Sequence, residues 1–170
     1  EGETNITISL VGTTLKVQAK IKVVDINEGE LKINESIKVE EDILSKIEPE
    51  TTISSILDKI ETTYNKEIKD RTEKKLGEND IVGTGSKVQI LDSTGAVIYE
   101  YIVLIYGDVT GDGKITSKDY MAIKNHIMET SILNQIEQKA ADSFRDGNIT
   151  SKDYMVIKNH IMGVGKINQE

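Results

Sequence analysis

The chain has 170 residues, enough for one or two domains with a true core, and a formal charge of −8. That acidity argues against nucleic acid as a partner, because phosphate binding needs a basic face. The absence of cysteine excludes a disulfide framework and a thiol nucleophile, and no run of about eighteen apolar residues is present that would make a membrane-spanning helix. Glu1-Gly2-Glu3-Thr4-Asn5 does not read as a signal peptide, so secretion would make this a mature portion or a C-terminal fragment. Residues 5–26 read as two strands. Ile6, Ile8 and Leu10 alternate with polar residues, and after Gly12-Thr13 the run Leu15, Val17, Ala19, Ile21 and Val23 alternates without a miss. Asn27-Glu28-Gly29 breaks the pattern. A lone hairpin is marginal in water, so residues 1–27 either pack on the next segment of the chain or belong to a domain upstream.

Leu31, Ile33, Ile37 and Val39 suggest one or two further short strands. A helix opens after Pro49-Glu50 with Thr51 or Thr52 as N-cap. Ile53, Ile56, Leu57 and Ile60 then form one apolar stripe to lay on a sheet. The charged stretch 61–80 is expected to hold a strand near Tyr64–Ile68, then irregular chain. Lys87–Leu91 and Val97–Tyr106 read as a hairpin across Asp92-Ser93-Thr94-Gly95. The second of these strands is apolar on both faces, which places it centrally in its sheet. The turn Gly83-Thr84-Gly85 lacks the spacing of a phosphate loop.

Directly after this strand the residue types change. Asp108, Thr110, Asp112 and Asp119 occupy positions 1, 3, 5 and 12 of a twelve-residue frame with Gly113 at position 6. Asp142, Asp146 and Asp153 repeat positions 1, 5 and 12, with Gly147 at position 6, thirty-four residues later. Calcium takes six to eight oxygen ligands, and this spacing wraps side-chain oxygens round one point. The backbone carbonyl at position 7 (Lys114, Asn148) adds another ligand, and Thr116 and Thr150 complete each candidate site. Position 3 of the second loop is Phe144, which has no oxygen to offer, so two ions are expected with the second held more weakly. Residues 115–128 and 149–162 are identical but for Ala122 against Val156. In each, Tyr120, Ile123 and Ile127, or Tyr154, Ile157 and Ile161, are spaced to bury one helix face. His126 and His160 come from separate copies and lack further ligands for zinc, so they are read as capping or flanking the core.

The stretch 107–120, with its partner at 141–154, resembles a type I dockerin, the duplicated calcium loop–helix module by which secreted bacterial proteins plug into cohesins. The resemblance covers about the last third of the chain. It implies a loop followed by one exiting helix in each copy, unlike an EF-hand with helices on both sides. It also implies an exposed cohesin-binding face at Ser117, Lys118, Lys124 and Asn125, repeated at Ser151, Lys152, Lys158 and Asn159. Lys118 and Asn125 depart from the family's commonest pattern at those positions. Residues 28–106 resemble, by arrangement rather than motif, the X modules that precede dockerins. An immunoglobulin-like or a β-grasp-like fold would each suit them. The expected fold class is α+β: a mostly-β module with one helix, then an α-helical module with two calcium loops at 107–170.

On this reading the chain is a non-catalytic, calcium-dependent interaction module that docks onto a cohesin and anchors its parent, extracellular protein in a cellulosome-type complex. The alternative is an EF-hand-like calcium sensor, with Met121, Met128, Met155 and Met162 as its groove and a helix before each loop. An enzyme or sugar-binding role in residues 1–106 lacks a catalytic constellation and the tryptophan platforms sugars favour.

Overall fold

The computed structural model describes residues 2–9, 16–23 and 31–170, and side chains from Leu31 onward. The chain divides into two compact units, Glu1–Glu30 and Leu31–Glu170. In the first, β1 (Gly2–Ser9) and β2 (Lys16–Val23) pair antiparallel, with Gly2 opposite Val23 and Ser9 opposite Lys16. The expected breaks at Gly12-Thr13 and Asn27-Glu28-Gly29 lie outside the described residues.

The second unit begins with β3 (Leu31–Ile33), β4 (Lys38–Glu40) and β5 (Ile43–Ser45). Then come α1 (Ile53–Leu57), β6 (Ile60–Thr62), β7 (Asn65–Lys69), β8 (Lys87–Leu91) and β9 (Val97–Val103). Five of these strands make one mixed sheet in the order β4-β5-β9-β8-β7, in which β5 and β9 run parallel and the other pairs antiparallel. β9 is the central strand, as its two apolar faces predict. β3 and β6 form a separate antiparallel pair. A five-stranded sheet with a parallel pair, beside a two-stranded ribbon, differs from the two antiparallel sheets of an immunoglobulin-like sandwich.

Thr52 caps α1, its hydroxyl accepting from Ser55 N, and Ile53 and Ile56 are buried. The helix is shorter than its apolar stripe predicts. Ile60 opens β6 and reaches the same core from a strand, because its backbone pairs with Ile33. Leu44, Ile53, Ile56, Ile60, Ile68, Val88, Ile90 and Val103 are the centre of that core. A second core gathers Val109, Ile123, Leu133, Ala141, Ile157 and Ile167. It is built by α2 (Ser117–Ile127), α3 (Gln135–Ala141) and α4 (Ser151–Ile161). α2 packs on α4 through Ile123 and Ile157, both fully buried, with Tyr120 and Tyr154 edge to face at 5.3 Å.

Ile127 and Ile161 correct the sequence-based expectation. They were expected in the shared helix face, yet they are 39% and 45% exposed. Each lies one turn beyond Ile123 or Ile157, at the last residue of its helix. α3, which leads into the second loop, is a further departure. The first loop follows a strand and the second follows a helix, so only the first copy is the bare loop–helix unit that the resemblance implies.

Candidate metal and partner-binding site

Both loops are wired alike at positions 5 and 12. Asp119 is N3 of α2 and forms a capping box with Thr116: its Oδ2 accepts from Thr116 N at 2.8 Å, while Oδ1 accepts from Thr110 N at 2.8 Å. Asp153 does the same for α4, accepting from Thr150 N at 2.8 Å and Phe144 N at 2.9 Å. Position 12 therefore staples the front of each loop to the helix that succeeds it. The position-1 carboxylates turn inward. Asp108 accepts from Gly111 N and Gly113 N, and Asp142 from Asp146 N and Gly147 N. At position 5, Asp112 accepts from Lys114 N and pairs with Lys118 at 3.3 Å; Asp146 accepts from Asn148 N and pairs with Lys152 at 3.0 Å.

The donor chemistry suits a hard cation: carboxylate, hydroxyl and carbonyl oxygens, with no nitrogen or sulfur among the frame's side-chain ligands. Asp108, Thr110, Asp112, Asp119 and the Lys114 carbonyl could hold an ion in the first loop. Asp142, Asp146, Asp153 and the Asn148 carbonyl could do so in the second. Burial pushes the Asp108 carboxyl up to about 6, with neighbouring Asp119 and Asp112 adding to the push against the N–H groups of Thr84 and Gly113. A cation would reverse that cost. Among the described residues no three carboxylate or histidine side chains converge as a finished cluster, because their oxygens are turned onto the loops' own N–H groups. Thr116 and Thr150 act as helix N-caps, their hydroxyls accepting from Lys118 N and Lys152 N.

The surroundings of the two loops differ. Asp108 Oδ2 also accepts from Thr84 N, 2.8 Å away in the turn before β8. Gly113 O accepts from Glu50 N. A Cβ on Gly83 would lie 2.1 Å from Gly111 O, and one on Gly113 2.3 Å from Ile81. Arg71 closes the contact, donating to Thr84 O, Val109 O, Thr110 O and the Glu137 carboxylate of α3. A Cβ added to Gly147 would meet nothing within 4 Å. Neither Arg71 nor α3 was anticipated from the sequence. The available signals were that the chain has only two arginines, and that Asn134 and Glu137 form an Asn-x-x-Glu capping box before an alanine pair.

The other arginine, Arg145, lies 4.3 Å over the Tyr106 ring and donates to the carbonyls of Asn168 and Glu170. Gln169 pairs with the Tyr106 backbone in both directions at 2.9 Å. The C-terminal residues thus strap back onto the segment's start. His126 Nδ1 accepts from Leu133 N and His160 Nδ1 from Ile167 N, so each histidine pins the chain that leaves its helix.

Ser117, Lys118 and Lys124 are exposed and Asn125 is half-buried, while Ser151, Lys152, Lys158 and Asn159 are all exposed. Met121 and Met155, 45% and 43% exposed, stand among them and were not assigned to this face from the sequence.

The profile of the dockerin type I domain family matches residues 106–162. That third of the chain is similar to a type I dockerin, a family of non-catalytic, calcium-binding modules that bind cohesins. No curated protein matches the chain. Among the described residues, no helix is long and apolar enough to cross a membrane.

Proposed function

We propose that the dockerin-like segment folds round two calcium ions and docks the chain onto a cohesin, tethering its parent protein in an extracellular, cellulosome-type assembly. One observation carries this reading. Two loop–helix copies share the hydrogen bonds of positions 5 and 12, and each presents serine, lysine and methionine at the same positions, within a stretch matching a cohesin-binding family. When bound, calcium supplies the positive charge that lets the loop carboxylates share one centre. Phe144 leaves the second site an oxygen short and hence weaker. Residues 28–106 act as an X-module-like companion domain with no catalytic part, and 107–170 as the docking domain. Neither nucleic acid nor membrane is a partner. Calorimetric titration against a panel of cohesins, with calcium and with chelator, tests this; the expected result is tight binding to one class in calcium and none in chelator.

The calcium-sensor alternative draws support from α3, which makes the second copy helix–loop–helix. It requires a groove opened by calcium, whereas Met121, Met128, Met155 and Met162 are already 45%, 59%, 43% and 65% exposed.

A further inference from the structure

The two copies of the docking face are unequal, and the inequality begins at loop position 3. Thr110 is half-buried: its N–H and hydroxyl are used by Asp119, and its carbonyl accepts from Arg71 at 3.1 Å. Beside it Gly111 is so close to Arg71 and Thr84 that a Cβ would lie 2.4 Å from the guanidinium. Phe144, the counterpart of Thr110, is 54% exposed and is the chain's single phenylalanine. Its N–H does the structural work of the position, donating to Asp153, while the ring takes no part in the core. Lys152 Nζ stands 5.0 Å from the ring centroid and is held there by Asp146 at 3.0 Å. The ring is therefore placed at the start of α4, against one of the lysines of the candidate docking face. One turn further along the helix Met155 is 43% exposed.

We propose that the second copy is the working docking face and that Phe144 is its anchor. This rests on the cohesin-docking reading above and names the partner's chemistry. An aromatic ring 54% exposed, outside the core and at a position that a calcium loop uses for an oxygen ligand, supplies neither core packing nor a metal ligand. Covered by a partner, it buries its exposed half, and aromatic anchors of this kind dominate interface energies. Lys152 borders the ring and Lys158 is exposed further along α4, both cationic in a chain of net charge −8. The complementary cohesin surface is an apolar socket rimmed by carboxylates. On the first copy the same approach meets Arg71 and the Gly83 turn, which already cover the loop.

The test is calorimetry on the full chain in saturating calcium, using the cohesin that binds best in the panel. Phe144→Ala removes the ring and its contact with Lys152 but keeps the N–H that Asp153 uses, and an unchanged calcium titration of the second loop shows that the loop is intact. We expect it to weaken binding at least about ten-fold, as loss of an aromatic anchor does. The pair Lys152→Glu and Lys158→Glu should weaken it comparably, and the matching pair Lys118→Glu and Lys124→Glu several-fold less. Wild-type affinity in Phe144→Ala, or equal losses from the two lysine pairs, overturns the single-face assignment while leaving cohesin docking in place. Failure of the wild type to bind any cohesin in calcium overturns both.

Discussion

The first and second loops share a sequence frame and a hydrogen-bond pattern, yet one is an interior element and the other a surface one. Asp108 and Gly113 are buried, and Asp108 accepts a hydrogen bond from outside its own loop. In the second loop Asp142 is half-buried and Gly147 exposed, and its carboxylate accepts from Asp146 N and Gly147 N, both within the loop. The same twelve-residue device can thus be preorganised by a neighbouring sheet or left to organise itself. The segment that matches the family begins at residue 106, but the contacts that shape its first loop come from Glu50, Arg71, Val82, Gly83 and Thr84.

A matched pair of glycines gives the largest expected contrast. Gly113 and Gly147 both sit at position 6 with φ of 75° and 82°. Alanine at either site incurs left-handed strain of about 1–2 kcal/mol, and at Gly113 overpacking against Ile81 and Val82 adds about 1–3 kcal/mol. Denaturant unfolding in calcium should show Gly113→Ala as clearly more destabilising than Gly147→Ala. Equal losses would break the comparison.

Arg71→Met comes next. It strips the donors from three backbone carbonyls and from Glu137, and should lower stability by about 2 kcal/mol. Hydrogen exchange should quicken at Gly111 and Gly113 and stay unchanged at Phe144 and Gly147. Uniform quickening in both loops would mean that the sheet does not single out the first.

Calcium affinity sharpens the contrast on a smaller scale. Phe144→Asn restores an oxygen at position 3 and should tighten the second site by about 1–2 kcal/mol, the worth of a charge-assisted contact. The first site should keep its affinity. Equal site affinities in the wild type, seen in a calcium titration, would count against a weakened second site.

The smallest effect concerns pH. His160 accepts from Ile167 N through Nδ1, which only a neutral imidazole can do. Burial, and then Lys166, hold its pKa below the ordinary 6.5, with Glu48 opposing. The folded value lies below the unfolded one, so this contribution is complete above about pH 6.5 and is lost as pH falls through the folded value. His160→Asn supplies an oxygen acceptor that does not titrate. The variant's melting temperature should fall less than the wild type's between about pH 7.5 and 5, by less than about 4 °C. Parallel slopes would remove His160 from the strap that holds the C-terminal residues near the first loop.

Much of this molecule is legible in the sequence. The alternation of β8 and β9, the two-faced apolar run that makes β9 central, and the Thr-x-x-Asp boxes that start α2 and α4 are local patterns. They depend on side-chain period and capping geometry, which act within a few residues. The stripe ending at Ile60 misleads for the same reason. Helical spacing says which residues share a face, not where the backbone leaves the helix to pair with β3. Ile127 and Ile161 are misjudged from spacing because burial needs a neighbour, and each lies at the far end of its helix from the loop.

The sequence by itself determined the oxygen-bearing residues of the two frames, their spacing, the duplication and the residues that both copies present, because each follows from residue type and short-range period. Tertiary structure alone decided that the copies are unlike in their surroundings. Arg71 reaches across thirty-nine residues to Thr110 and sixty-six to Glu137, and no local pattern encodes such distances. A rigid guanidinium finds its acceptors only once the sheet, the loop and α3 have been brought together.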